Sequence, residues 1–409
     1  MTLTKTITVM LSLLLLVSVD CNRQSWGGPL EDKLMKELGS LYPEATESAD
    51  STLKKIKDLI AQKADINVRN AKGDTLLITA TLGGDIEMAK LLIQGGADVN
   101  LKSSKDGLTP LMVAAYNGDM EMIDLLLKNK ADVNAANQEG QTALFQAVER
   151  GDLDAAKRLC EKGADVNYKD PKQGLTALLL AASLGDLDMA QVLVGAKAKV
   201  NEADSKGNTA LMIASANDDT EMVTWLIQSG AEVNAKAGSK GITALMAAAN
   251  SGNPEATETL VAKGADINAK TPDSDSALLL ATNAGNPETV KLLLDKGAKV
   301  DEANNEGYTP LIVAARDGNL DVVKLLIEKG AQINAKTQTG ATALMYASFL
   351  PENDDVVKML LEKGADVNIK ANNGVTALQL AGVAGDKKIL ELLKKAGADS
   401  PQKPSSSKK

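Results

Sequence analysis

From about residue 54 to 399 the apolar positions fall into short clusters at helical spacing, separated by polar breaks, and the whole pattern recurs. A phrase of Ala, an acidic or polar residue, Val or Ile, then Asn or a substitute begins at Ala64, Ala97, Ala131, Ala164, Ala198, Ala231, Ala265, Ala298, Ala331, Ala365 and Ala398, at intervals of 33 or 34 residues. A second phrase keeps step with it. Thr109-Pro110-Leu111-Met112-Val113-Ala114-Ala115 and Thr309-Pro310-Leu311-Ile312-Val313-Ala314-Ala315 are its fullest copies, with relatives starting at Thr75, Thr142, Thr176, Thr209, Thr243, Ser276, Thr342 and Thr376. Ten copies in fixed register mark a repeat architecture, in which one supersecondary unit is stacked on the next.

Each unit predicts two helices and a return segment. A short apolar helix follows the Thr-initiated phrase, and a Gly-Asp or Gly-Asn pair, as in Gly118-Asp119 and Gly252-Asn253, then predicts a break and a new N-cap. Pro254 and Pro287 fall at the first position of the second helix, where a missing N–H is harmless. That helix carries an apolar stripe such as Val322, Val323, Leu325, Leu326 and Ile327, and the same register places Trp225 in the core. Glycines such as Gly96, Gly264 and Gly330 close it in a left-handed turn. Lys63, Lys130 and Lys197 stand at that closing position, 67 residues apart, and are predicted to adopt the same conformation at about 1 kcal/mol each. Leu108, Leu175 and Ile242 share the double period and are expected to fold against the longer return segments.

A helix-turn-helix plus finger of this length, opened by a TPL-type phrase and closed by a G-A-D-V-N-type phrase, resembles the ankyrin repeat. The resemblance implies an all-α repeat solenoid of stacked helix-turn-helix units with β-hairpin-like fingers, expected over 44–399 as a half repeat plus about ten repeats. Where ankyrin repeats usually carry a histidine after TPL, this chain has Ile78, Met112, Phe145, Leu179, Met212, Met246, Leu279, Ile312, Met345 and Gln379. The junctions between fingers are therefore expected to depend more on packing.

Composition narrows the chemistry. Hydrophobic residues make up 44% and aromatics 2%, so the core is built from aliphatic side chains. The absence of histidine removes every His-based triad and His-ligated metal site. Two cysteines, Cys21 and Cys160, are too few for a disulfide framework or a four-thiolate site. The sequence has no phosphate loop or nucleophile elbow, so no catalytic residue, cofactor or metal is assigned and the chain is read as a non-enzyme. A net charge of −9 disfavours nucleic acid as a partner.

The N-terminal segment has a layout of its own. Lys5 precedes an apolar run from Ile7 to Val19, too short to span a bilayer as a helix, and Cys21 follows Asp20 directly. Residues 1–20 are read as an export signal. The segment resembles a bacterial lipoprotein signal, which implies lipidation of Cys21 and a place at the cell envelope; periplasmic or extracellular release is the alternative. Residues 21–43 are read as a tether leading into an N-terminal cap, and 400–409, with prolines, serines and lysines, as a disordered tail.

The ankyrin resemblance also implies where a partner binds: on the concave face, at the residues following the Ala-Ala position. The candidates are Tyr116, Asn117, Glu149, Arg150, Leu184, Asn217, Asn250, Arg316, Asp317 and Phe349, together with Tyr308. Aromatic and Arg side chains supply most interface energy, which singles out Tyr116, Tyr308, Phe349, Arg150 and Arg316. The expected function is that of a monomeric protein-interaction scaffold, with a chaperone-like protective role or a secreted effector of host proteins as alternatives.

Overall fold

The computed structural model describes residues 49–70 and 72–398. The export segment, Cys21, the tether at 21–43 and the tail at 400–409 lie outside the described residues. The described chain divides after Lys172 into two compact units. The first contains α1 (Ala49–Ala61), α2 (Leu76–Leu82), α3 (Ile86–Gln94), α4 (Pro110–Asn117), α5 (Met120–Lys128), α6 (Ala143–Arg150) and α7 (Leu153–Glu161). The second contains α8 (Ala177–Leu184), α9 (Leu187–Gly195), α10 (Ala210–Ala216), α11 (Thr220–Gln228), α12 (Ala244–Ser251), α13 (Pro254–Ala262), α14 (Ala277–Ala284) and α15 (Pro287–Asp295). It continues through α16 (Pro310–Arg316), α17 (Leu320–Glu328), α18 (Ala343–Phe349), α19 (Asp354–Glu362), α20 (Ala377–Ala384) and α21 (Lys387–Lys395). Each unit is an all-α repeat solenoid: every even-numbered helix packs on the odd helix that follows it and, within its unit, on the even helix of the next repeat.

The Thr-initiated phrase does not precede the first helix of a repeat; it begins it. Thr75, Thr109, Thr176, Thr209, Thr243, Ser276, Thr309, Thr342 and Thr376 are N-caps whose hydroxyls accept a hydrogen bond from the backbone N–H three residues on. The Asp or Asn before most odd helices does the same, from Asp85 accepting from the Met88 N–H at 2.9 Å to Asn319 accepting from the Val322 N–H at 3.1 Å. Each cap contributes about 1 kcal/mol to a helix of only two turns. The remainder comes from stacking, because helices this short do not persist in water.

Each odd helix buries one narrow arc. In α17 that arc is Val322, Val323 and Leu326, while Leu325 and Ile327 are only half-buried. Trp225 takes the place of Leu325 in α11 and is also half-buried, which corrects its expected core position. Residues at i, i+1 and i+4 meet the neighbouring helices, and i+3 turns toward the outer surface. There Trp225 lines a shallow cleft with Leu187, Gln191, Thr224 and Gln228.

In α15 the first core position of the arc holds Thr289, fully buried, with no partner for its hydroxyl among the described residues. The equivalent residues include Met222, Val322 and Val356. Thr289→Val keeps the shape and removes an unpaired polar group, so it should stabilise the protein by about 1 kcal/mol, read as a higher urea midpoint.

Odd helices end in left-handed residues as the sequence predicts, with φ of 98° at Gly96, 90° at Gly264 and 87° at Gly330. Lys63, Lys130 and Lys197 adopt the same conformation, at φ of 62°, 68° and 73°. Lys130→Gly should raise stability by about 0.5–1 kcal/mol in denaturant titration, because relief of side-chain strain outweighs the added freedom of the unfolded chain.

The asparagine of the closing phrase links repeats. Asn234 accepts a hydrogen bond from the Asp266 N–H at 2.8 Å and donates through Nδ2 to the Gly264 carbonyl at 3.0 Å. Asn100, Asn134, Asn201, Asn268 and Asn334 repeat both bonds. A primary amide suits the place because it is donor and acceptor at once, satisfying both a helix-end carbonyl and a loop N–H. The fingers themselves form isolated antiparallel bridges, such as Ala203 with Thr209 and Lys270 with Ser276. Adjacent fingers share backbone hydrogen bonds, including Ser205 N–H to the Gln173 carbonyl at 2.8 Å and Gln338 N–H to the Glu306 carbonyl at 2.9 Å. Their junctions thus combine packing with a regular hydrogen-bond ladder.

Candidate functional site

The seventh and eighth residues after each even-helix N-cap form the end of that helix, the eighth being its C-cap in α2, α10, α16 and α18. Contacts made from them align neighbouring repeats: Asn117 donates to the Thr81 carbonyl at 3.3 Å, Asn217 to the Ser183 carbonyl at 3.3 Å, and Ser251 to the Ala216 carbonyl at 2.8 Å. All four large hydrophobic side chains that are exposed among the described residues lie in this turn: Leu82 (47%), Leu184 (53%), Phe349 (51%) and Val383 (76%). Apolar exposure is thus confined to one register of the repeat.

In the first unit, Tyr116 is half-buried and Asn117, Glu149 and Arg150 are exposed. Desolvation raises the Glu149 carboxyl above its ordinary value. Arg150 lines an open cleft with Asp152, Asp154 and Lys157. In the second unit, Asn217 and Asn250 are exposed, and the side chain of Asn250 makes no hydrogen bond among the described residues.

Three of the predicted residues meet. The Arg316 guanidinium lies over the Tyr308 ring, 5.9 Å from its centroid, and pairs with Asp317 at 2.8 and 3.0 Å. It also donates to Asn283 Oδ1 at 2.9 Å, which fixes it against the preceding repeat. The Tyr308 and Tyr346 hydroxyls are 2.8 Å apart, with ring centroids at 5.6 Å. Tyr346, Asn283, Leu82 and Val383 are absent from the sequence-predicted set. Leu82, Asn283 and Val383 could have been found by counting seven residues from each cap. Tyr346 occupies the fourth position, which is buried as Val113, Gln146 and Val313 and half-buried in the other repeats.

Burial, and then the Tyr308 hydroxyl, push the Tyr346 phenol up to about 12. The unfolded chain can ionise this group above about pH 10 while the folded chain holds it neutral until about 12, so its effect on stability is unfavourable across that window. Absorbance titration of the phenols should resolve one late-titrating group, and Tyr308→Phe should move it back toward 10.

The family described as ankyrin repeats, three copies per match, covers residues 45–137, 82–170, 115–204, 168–237, 245–337, 278–371 and 335–403. The chain belongs to the ankyrin-repeat family. It is also similar to the ankyrin repeat and KH domain-containing protein mask-1 of Caenorhabditis elegans, at 36% identity over 121 residues. That match takes in 29% of this chain and 4% of the worm protein, so the chain spans only a small part of that relative's length.

Membership brings out what is particular here. Nine of the ten residues at the usual histidine position are buried and apolar, from Ile78 to Met345. The tenth, Gln379, is exposed and returns a side-chain hydrogen bond: its Oε1 accepts from the Thr376 N–H at 2.9 Å, completing a capping box. No helix among the described residues is long and apolar enough to cross a membrane. Ankyrin repeats of this kind serve as protein-interaction scaffolds.

Proposed function

We propose that this protein is a non-enzymatic scaffold displayed at a bacterial cell envelope through a lipid on Cys21, and that it binds another protein through the last turns of its even helices. The observation that carries the binding surface is the confinement of exposed large hydrophobic side chains to that turn, with Leu184 and Phe349 in the second unit and Arg316 of the same turn held over Tyr308. Exposed apolar groups in a fixed row serve recognition better than folding, because their removal from water is still available to a partner. The Lys5-led apolar run and the cysteine that follows it support export and anchoring.

Two measurements test the reading. Mass spectrometry of the mature N-terminus should find an acylated Cys21, and an intact Met1 would overturn the export half. Affinity capture from membrane extracts with the Leu184→Ser/Phe349→Ser double variant should lose a stoichiometric partner seen with the unaltered protein. Stability should shift by no more than about 1 kcal/mol, since both sites are exposed. Retention of that partner would move the binding surface elsewhere.

A further inference from the structure

Charge in the second unit is divided between its two sets of helices. Even helices α8, α10, α12, α14, α18 and α20 contain no Asp, Glu, Lys or Arg, and α16 contains Arg316 alone. Every odd helix carries at least one charged residue, from Asp188 as the single one in α9 to five in α21. Yet the chain as a whole is 24% charged. The one guanidinium on the even helices is neutralised by Asp317. A charged segment lying along these helices would lose hydration and meet no free counter-charge on them.

What the face does offer is aromatic rings and amides at the repeat period. Tyr308, Tyr346 and Phe349 form its aromatic end. Asn217, Asn250 and Asn283 lie in successive repeats, Asn217 one position later than the other two; Asn217 donates to the Ser183 carbonyl, Asn283 Oδ1 accepts from Arg316, and among the described residues Asn250 keeps its whole amide for an outside group. Packed helices lie about 8–10 Å apart. A polyproline II helix shows the same face every three residues, or about 9.3 Å, and has no internal hydrogen bonds, so its carbonyls are free for amide donors. An extended β-strand returns to one face every two residues, about 6.7 Å, and falls out of step after one repeat. Prolyl rings also dock on tyrosine-lined surfaces.

We infer that the even-helix face from α8 to α20 binds an uncharged, proline-containing segment of another protein, held as a polyproline II helix that crosses successive repeats. This rests on the scaffold reading above and names the chemistry of its partner. Successive turns of the segment place carbonyls over the asparagine row, and a prolyl ring lies against Tyr308, Tyr346 and Phe349.

The test is selection of binders from a displayed library of random twelve-residue peptides on the full-length protein. Enriched peptides should carry prolines three apart and no net charge. Their Kd should change by less than about twofold between about 50 and about 500 mM NaCl, since no ion pair contributes. Asn250→Ala, at an exposed site that the fold does not need, should weaken them by about fivefold and Tyr346→Ala by about tenfold. Glu258→Gln on the outer helix α13 should leave them unchanged. Selection of charged peptides with a strong salt dependence, of alternating strand-like sequences, or of no binder at all would overturn the inference. If the native partner is still lost from the Leu184→Ser/Phe349→Ser variant in that case, the scaffold reading stands and this one alone fails.

Discussion

Leu245→Ala should destabilise the protein by about 2–5 kcal/mol. Leu245, in α12, is only 1% exposed. That helix packs on α10 before it and α14 after it. Removing the side chain opens a cavity where two junctions meet, and neither helix of the repeat holds its shape without them. Hydrogen exchange should show the loss of protection greatest in α12 and α13 and falling off through adjoining repeats. A uniform loss over the whole second unit would point instead to a single cooperative core.

Gly207→Ala should cost about 2–5 kcal/mol although it adds one methyl group at the surface. Gly207 has φ of 85°, and a Cβ there would lie 2.1 Å from the Gly238 backbone nitrogen in the next finger. Backbone cannot rotate aside as a long side chain can, so the two fingers would have to separate. Gly230→Ala is the useful comparison: φ is 94° but open space surrounds it, so only the conformational part, about 1 kcal/mol, should appear. Parallel urea titrations of the two variants separate strain from collision. Equal effects would mean that finger contact contributes little.

Much of the fold was legible in the sequence because the repeat prints its constraints ten times. The Asp and Asn caps, the closing glycines and the three left-handed lysines each follow from one residue type at one register, and the structure has them there. Reading the Thr phrase as a lead-in was less accurate, since its hydroxyl is itself the cap. Trp225 was misplaced because a helical stripe of five residues is wider than the arc two neighbouring helices can cover. The asparagine ladder was hidden in plain view: its spacing was visible, but its pair of hydrogen bonds to the next repeat depends on a loop geometry that periodicity does not encode.

The candidate surface was legible as a register more than as a set of residues. Counting positions found Leu184, Arg316 and Phe349, and the same count extended to Leu82, Asn283 and Val383 completes the row. Tyr346 was out of reach because its position is buried in several other repeats; only a tyrosine, too long for that place, carries its hydroxyl out to Tyr308. The ion pairs that join repeats include Lys296 with Glu258 at 3.0 Å and Lys90 with Glu121 at 3.3 Å at the odd helices, and Lys270 with Glu302 between fingers. They are partly exposed and contribute little stability, which leaves solubility as their main effect.

Site-specific photocrosslinking in living cells tests the central claim most directly. A photoreactive residue in place of Asn250 on the even-helix face should capture one defined protein, and the same residue in place of Glu258 on the odd-helix face should capture none. Capture from Glu258 with nothing from Asn250 would contradict the account.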